Sequence, residues 1–200
     1  WNDDGVKAIV KFISRVERLG EDVAGMTPGP SDLSGEAARE LQYARHYAIK
    51  AVTVDAGRFQ FNTSISRLME LMNAIGKYQS VPGQVQSGLL RETYVDLLRL
   101  MAPFAPHFCE EIWQSLGHER SIFCEAWPSF DAAALVRDTV EIAVQVNGAI
   151  KYRLDVPAGA DAAAIEAVIM ADSRTGAALA GRSVVKIIVV KNRLANLVVS

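Results

Sequence analysis

The side chains best suited to binding a metal ion lie near the middle of the sequence. Four of them offer the nitrogen and sulfur ligands that Zn²⁺ prefers: His107, Cys109, His118 and Cys124. They lack paired C-x-x-C spacing, however, and two of them fall on a segment with the periodicity of an amphipathic helix. We therefore expect no metal site, and we interpret His107 as a structural residue that packs against its neighbours.

A pair of adjacent acids, Glu110 and Glu111, comes nearest to a catalytic dyad. Adjacent residues on a helix project about 100° apart, so these two carboxylates cannot act on one reacting atom. We expect both to be solvated and to favour the positive end of a helix dipole. The sequence also lacks the motifs G-x-x-x-x-G-K-[ST], G-x-G-x-x-G, G-x-S-x-G and H-E-x-x-H. We therefore predict no catalytic residue, which argues against a free-standing enzyme.

Basic side chains near the end of the sequence could instead bind an anion. Lys151 and Arg153 are two positions apart in a segment with strand-like alternation, so they project from the same face. Lys186, Lys191 and Arg193 lie on or between later strand-like segments. Such residues could contact the phosphates of a nucleic-acid backbone, and a solvated sheet face is the alternative interpretation.

The composition is that of an ordinary globular protein. Of the 200 residues, 50% are hydrophobic, and the formal net charge is -2. Two cysteines are too few for a disulfide framework. No stretch approaches the roughly 18 to 20 apolar residues needed to span a bilayer, and the first residues lack the plan of a secretory signal. We therefore expect a cytoplasmic protein that does not associate with membranes.

The first part of the sequence shows helical periodicity. Apolar residues recur at helical spacing in segments 6–23, 36–55, 59–78 and 86–101. The inward stripe of the first segment includes Val6, Ile9 and Val10, and Arg45 of the second is expected to face solvent. Asn62 or Thr63 is the expected N-cap of the third helix. Short links between these segments favour an antiparallel bundle.

Residues 97–114, LLRLMAPFAPHFCEEIWQ, predict two helices that meet at a proline elbow. Pro103 disfavours helical geometry in the residue before it and should end the fourth helix. Pro106 can occupy the first position of a fifth helix, where a missing amide does no harm. Trp113 lies on the inward stripe of that helix, and Gly117 should end it.

The helical period is lost after the elbow. Residues 118–138, which include Trp127, predict an irregular strap packed on the bundle. Alternation of period two then flanks Asn147-Gly148, the dipeptide most diagnostic of a type I′ hairpin. An alanine-rich helix and two further strands follow. We therefore predict a mainly α-helical bundle over residues 1–138 and a small α+β domain, of order β-β-α-β-β, over residues 139–200.

Several of these motifs resemble one family. The elbow LMAPFAPHFCEEIW, the segment EAWPSFD and the helix FNTSISRLMELMNAI are similar to the anticodon-binding helical bundle of class I aminoacyl-tRNA synthetases. VQVNG at residues 144–148 and the ending VVKIIVVKNRLANLVV resemble the C-terminal domain of the bacterial leucyl-tRNA synthetase family. The resemblance covers nearly the whole chain, from about residue 6 to residue 200.

The resemblance implies a tRNA-binding part of an enzyme that uses ATP to attach leucine to tRNA(Leu). The family's HIGH and KMSKS signatures and its editing domain are missing here, so ATP and Mg²⁺ are expected to bind a catalytic domain elsewhere in the synthetase. In the family, the bundle supports the tRNA body and the C-terminal module reaches the outer corner of the L. This makes the basic residues named above candidate tRNA contacts. Expected partners are tRNA(Leu) and the rest of the synthetase chain, in a monomer; a scaffolding or protein–protein interaction module is the alternative.

Overall fold

The computed structural model describes residues 3–27, 29–136, 139–190 and 193–200. The chain divides into two compact units, Trp1–Val136 and Arg137–Ser200. The predicted boundary at Asp138 lies outside the described residues, as does the candidate Lys191. The expected fold class, a mainly α-helical bundle followed by a small α+β fold, is confirmed. The helices of the first unit are α1 Asp3–Ala24, α2 Glu36–Gly57, α3 Phe61–Gln79, α4 Ser87–Met101 and α5 Pro106–Ser115.

Only part of the predicted inward stripe of α1 is buried. Val16 is buried, and its carbonyl accepts a hydrogen bond of 2.8 Å from the Tyr94 hydroxyl of α4. Val6, Ile9 and Val10 are exposed instead, so the prediction was wrong for these three residues. Periodicity identifies the apolar side of a helix, but the neighbouring helices decide how much of its length they cover.

A tight corner joins α2 to α3. Phe59 has φ 58°, and the Gln60 amide donates to the Asp55 carbonyl at 2.8 Å. α3 therefore begins with Gln60 as its N-cap residue, and the predicted caps Asn62 and Thr63 lie inside the helix. The cap prediction was wrong because cap preferences are local, whereas here the backbone of the corner sets the start of the helix.

The α1–α2 loop packs closely against the first turn of α4. A Cβ on Gly88 would lie 2.2 Å from the Gly29 carbonyl oxygen and 2.7 Å from that of Pro30, an approach that only glycine permits. Lys77 near the end of α3 lies 2.7 Å from Glu40 at the start of α2. These contacts place the α1–α2 loop, the end of α3 and the starts of α2 and α4 at one end of the bundle, as the predicted antiparallel arrangement requires.

The elbow, residues 102–105, lies where it was predicted, but Ala102 before Pro103 keeps the helical angles φ -50° and ψ -40°, so the expectation of non-helical geometry at that residue was wrong. α4 ends at Met101, Pro103 lies in the turn, and Pro106 is at the start of α5. Gly117 has φ 89°, the left-handed conformation that commonly follows a helix end. Trp113 is buried in the core of the unit, so α5 is braced from inside.

The strap, residues 118–136, is joined to α5 through Glu110. Its carboxylate accepts hydrogen bonds from the Ser121 hydroxyl at 2.9 Å and from the Ile122 amide at 3.1 Å. Glu110 is therefore not the solvated acid expected from the sequence, because its partners lie in a segment whose path the sequence does not specify. Trp113 adds a second link, since its indole Nε1 donates to the Arg120 carbonyl at 2.9 Å.

Further along, the strap packs on α2. The indole of Trp127 donates to Thr53 Oγ1 at 2.8 Å. The amide of Asp131 donates to Nδ1 of His46 at 3.0 Å. Lys50 of α2 lies 5.5 Å from the centre of the Phe130 ring, a cation–π contact. These contacts explain how a segment without a sustained period is held in place.

The second unit is a mixed sheet with two helices. Its strands are in the order β2-β1-β4-β3, with β1 antiparallel to β2 and parallel to β4. Side chains of β1 and β4 pack with Ile165 and Ile169 of α6 in a separate core. The element bounds are β1 Thr139–Val146, β2 Ala149–Pro157, α6 Ala162–Ala171, α7 Ser173–Leu179, β3 Val184–Val190 and β4 Leu194–Val199.

The turn between β1 and β2 is also joined to β4. Asn147 and Gly148 have φ 49° and 84°, as a type I′ turn requires. The Asn147 side chain accepts from the Val199 amide at 2.9 Å and donates to the Val199 carbonyl at 3.3 Å. The Gly148 amide donates to Asn196 Oδ1 at 2.9 Å. The turn residues therefore continue the pairing of β1 with β4.

Candidate nucleic-acid interface

Two of the predicted cations lie on β2. Both Lys151 and Arg153 are exposed. Lys151 is the extra residue of a β-bulge, since Tyr152 pairs with Val144 and Ile150 with Gln145. Arg153 Nη1 donates to Glu141 Oε1 at 2.7 Å, with the two side chains 70% and 49% exposed. An ion pair this exposed contributes little to stability, so a phosphate could compete for the guanidinium.

Arg193 lies close to Arg153 because of the strand order. Its carbonyl accepts a hydrogen bond of 3.2 Å from the Ala143 amide, and Ala143 is the β1 residue opposite Arg153. Neighbouring strands are about 4.8 Å apart, which places the two arginine Cα atoms about 10 Å from each other. The strand order thus places the backbone of Arg193 near that of Arg153 and its neighbour Lys151, and we call these three exposed residues the basic cluster.

Lys186 is separate from the basic cluster. It lies on β3 opposite Val198, toward the far end of β4 from Arg193. Val198 is five positions along the chain from Arg193, which corresponds to about 16 Å. β3 and β2 also form opposite edges of the sheet. The structure therefore does not bring Lys186 together with Arg153.

Tyr152 points to the other side of the sheet from its neighbours on β2. Its hydroxyl lies 2.6 Å from Thr175 Oγ1, and the Arg174 guanidinium lies 4.7 Å from the centre of its ring. Hydrogen bonds from Arg174 lower the pKa of the Asp172 carboxyl to about 2. Arg174 is a cation that the sequence interpretation missed, because its contact with Tyr152 joins two elements whose packing no local pattern predicts.

A second group of arginines lies on the helical unit. Arg45, Arg91 and Arg99 line an open depression of about 360 Å³. Arg45 does not simply face solvent as predicted: its Nε donates to Asp96 Oδ2 at 2.6 Å and its Nη1 to Glu92 Oε2 at 2.8 Å.

Two of these arginines, Arg45 and Arg99, have carboxylate partners, whereas Arg91 donates to the Leu116 carbonyl at 3.1 Å. Arg99 lies 3.4 Å from Glu125 of the strap and 3.7 Å from Asp96, the side chain of which is only 6% exposed. Glu92 and Asp96 line the depression together with the three arginines, and Glu125 of the strap pairs with Arg99 from outside it. We therefore assign Arg45 and Arg99 to joining α2, α4 and the strap.

The four side chains considered as metal ligands lie in different environments. Cys109 is buried, and burial raises the pKa of its thiol to about 12, whereas Cys124 and His107 are exposed. The His118 ring stacks on Trp113 with 3.7 Å between ring centres. Within the described part of the chain, no group of three or more His, Cys, Asp or Glu side chains is arranged to hold a metal ion. Likewise, none of the helices described is long and apolar enough to cross a membrane.

Comparison with curated proteins extends over both units. The leucine–tRNA ligase of Caldanaerobacter subterraneus subsp. tengcongensis is 43% identical over 203 residues, which cover 100% of this chain and 25% of that protein. The leucine–tRNA ligase of Clostridium perfringens strain SM101 is 46% identical over 202 residues, with the same coverage of 100% and 25%. The chain therefore spans about a quarter of the length of the curated relatives it matches.

A solved structure and a family model agree with these relatives. The crystal structure of the ternary complex of Agrobacterium radiobacter K84 agnB2 LeuRS-tRNA-LeuAMS matches with a TM-score of 0.70 and 28% identity, over 100% of this chain and 26% of that chain. Residues 39–168 match the model of the anticodon-binding domain of tRNA ligase. This chain belongs to the family of the anticodon-binding domain of tRNA ligases.

Proposed function

We propose that this chain is the tRNA-binding portion of a leucine–tRNA ligase, the enzyme that uses ATP to attach leucine to tRNA(Leu). The carrying observation is that the match to leucine–tRNA ligases covers 100% of the chain, at 43% identity for the Caldanaerobacter protein. The anticodon-binding model ends at residue 168, inside the second unit. The match to the α+β unit as a whole therefore supports the leucine ligase in particular.

The two units have different tasks in this proposal. The helical unit supports the body of the tRNA, and the α+β unit contacts the outer corner of the L. The basic cluster supports the second task, because Lys151, Arg153 and Arg193 are exposed and lie at neighbouring positions of the sheet. Lys186 is a separate candidate contact, and the candidate Lys191 lies outside the described residues.

Activation of leucine is assigned to the rest of the ligase polypeptide. ATP and Mg²⁺ would bind there, and this chain would supply affinity and orientation for the tRNA without a catalytic residue of its own. The remaining partners are tRNA(Leu) and the rest of the synthetase chain, in a monomeric cytoplasmic enzyme.

A filter-binding titration tests the proposal. The chain should bind tRNA(Leu) more tightly than an unrelated duplex RNA at low salt, and affinity should fall steeply with salt because phosphate contacts release counterions. Absence of any preference for tRNA(Leu) would rule out specific recognition by this chain.

Alanine variants test the basic cluster separately. The triple variant Lys151→Ala, Arg153→Ala, Arg193→Ala should reduce the slope of log affinity against log salt by about two to three, since each phosphate contact contributes about 0.7 to 0.9. Lys186→Ala removes one similar exposed charge from the same unit but leaves the cluster intact. Since Lys186 is a separate candidate contact, this variant should reduce the slope by only about 0.7 to 0.9. A triple variant that reduced the slope no more than Lys186→Ala would contradict the assignment of the basic cluster.

A further inference from the structure

The turn between β1 and β2 contains a chemically reactive pair of residues. Asn147-Gly148 is the only Asn-Gly dipeptide in the sequence. In such a pair the side-chain carbon Cγ of asparagine can form a ring with the next backbone nitrogen, and glycine has no Cβ to hinder the closure. Both residues are exposed, so water and base reach the turn. The pair therefore has the covalent arrangement and the solvent access that loss of the side-chain amide requires.

The reaction is a hydrolysis, in which nothing is oxidised or reduced. The Gly148 nitrogen loses its proton to base and attacks Cγ of Asn147, the bond between Cγ and Nδ2 breaks, and Nδ2 leaves as ammonia. The product is a cyclic succinimide. Water then opens the ring at either carbonyl carbon, which gives aspartate or, where the main chain now runs through the side-chain carbon, isoaspartate. Asparagine belongs to the thermally labile residues for reasons of this kind.

The folded structure opposes the first step at both reacting groups. The Gly148 amide donates to Asn196 Oδ1 at 2.9 Å, so base cannot take its proton without breaking that bond. The Asn147 carboxamide accepts from the Val199 amide at 2.9 Å and donates to the Val199 carbonyl at 3.3 Å. Cγ must turn its face toward the Gly148 nitrogen before the ring can close, and these two bonds oppose that rotation. All three bonds end on β4.

We propose that Asn147 is a site of spontaneous deamidation, and that pairing of the turn with β4 controls its rate. Solvent exposure favours the reaction, whereas the hydrogen bonds to β4 prevent it, so the bonds decide as long as β4 is in place. In a stable domain such a strand is released in fewer than about one molecule in a hundred. Folding should therefore slow deamidation at least about a hundredfold, since only the open form reacts.

Deamidation weakens the contact that prevented it. An aspartate in place of Asn147 has no Nδ2 hydrogen to donate, and its carboxylate would face the Val199 carbonyl oxygen. Isoaspartate also adds a methylene group to the main chain of the turn, which changes the path between β1 and β2. β4 is therefore released more often in the product, and refolding does not restore the lost amide.

Mass spectrometry of the chain during incubation at mildly alkaline pH tests the proposal. Trypsin releases residues 138–151, which contain Asn147, and liquid chromatography separates the asparagine, aspartate and isoaspartate forms of this peptide. The reference is a synthetic peptide of the same residues, which has no β4 to pair with. The intact chain should form the acidic products at least about a hundredfold more slowly than the reference peptide. Equal rates would show that β4 gives no protection, and an unreactive reference peptide would show that Asn147 is not a deamidation site.

Two substitutions at Asn196 test the contribution of a single bond. Asn196→Ala removes the acceptor of the Gly148 amide and leaves the Asn-Gly pair unchanged, so deamidation should accelerate about two- to tenfold. Asn196→Asp is the matched control, because its carboxylate still offers an oxygen to that amide, and its rate should stay close to that of the unmodified chain. If Asn196→Ala reacted no faster than Asn196→Asp, protection through this bond would be refuted.

Hydrogen exchange of the purified acidic product tests the effect on the strand. The Leu197 amide of β4 should exchange faster in the product than in the unmodified chain, because the product lacks the Nδ2 donor to Val199. Equal exchange would contradict the weakened pairing with β4.

Discussion

The Asn147 side chain should stabilise the α+β unit by joining the hairpin turn to β4. Replacing it with alanine removes its two hydrogen bonds with Val199, of 2.9 and 3.3 Å. Each such bond contributes about 0.5 to 1.5 kcal/mol net, so the pair contributes about 1 to 3 kcal/mol. Alanine also tolerates φ 49° less well than asparagine, which adds about 1 kcal/mol. We therefore expect Asn147→Ala to destabilise the unit by about 2 to 4 kcal/mol.

This loss is large for a unit of this size, the total stability of which is roughly 3 to 10 kcal/mol. Amide hydrogen exchange in β4 is the appropriate assay, because it reports on the α+β unit separately from the helical unit. A loss of 2 kcal/mol corresponds to about thirtyfold faster exchange through global opening. The Leu197 amide should show this acceleration in Asn147→Ala.

A glycine variant separates the two contributions. Asn147→Gly accepts the left-handed conformation but also lacks the carboxamide, so it isolates the hydrogen bonds to Val199. We expect its exchange to lie between that of the unmodified chain and that of Asn147→Ala. If Asn147→Gly exchanged at the rate of the unmodified chain, the side-chain bonds would contribute nothing, and the stabilising role assigned to the Asn147 carboxamide would be refuted.

Three further predictions concern the helical unit. Gly88→Ala places a Cβ 2.2 Å from the Gly29 carbonyl oxygen, so it should lower the free energy of unfolding by about 1 to 3 kcal/mol or more. A urea titration measures this loss, and an unchanged midpoint would contradict the close packing of the α1–α2 loop on α4. Arg45→Met deprives buried Asp96 of its nearest cation and should cost about 3 to 5 kcal/mol by the same assay, of which a second change, Asp96→Asn, should restore part. Burial is the main cause that lowers the pKa of His46 below its ordinary 6.5, so His46 binds a proton more readily in the unfolded chain than in the folded one. Stability should therefore fall as the pH drops below about 6.5, and it should fall less in His46→Gln. A fall of equal size in that variant would exclude His46 as its source.

The features that could be predicted from the sequence depend on neighbouring residues. Pro103 and Pro106 specify the elbow because proline fixes its own φ and donates no backbone hydrogen bond. Asn147-Gly148 specifies a type I′ turn because these residues accept positive φ. Alternation and periodicity indicated the strands and helices for the same local reason.

The features that could not be predicted depend on distant parts of the chain. Periodicity placed Val6 on an apolar stripe, but the reach of α3 and α4 along α1 decides whether it is buried. Glu110 could not be identified as a brace for the strap, because its partners follow an irregular path. The basic cluster depends on the order β2-β1-β4-β3, which brings Arg193 beside Arg153, and several strand orders are compatible with the same alternation.

The central position of β4 has a consequence for synthesis of the chain on the ribosome. β1 can pair with β2 as soon as the hairpin emerges, but its other edge pairs with Leu194–Leu197, which are made about fifty residues later. Until then, that edge and the apolar face of the hairpin have no β4 to pair with. Release of the last strand, and not formation of the hairpin, therefore sets the moment at which this unit can fold, and a nascent chain stalled before residue 194 would present an open strand edge to chaperones.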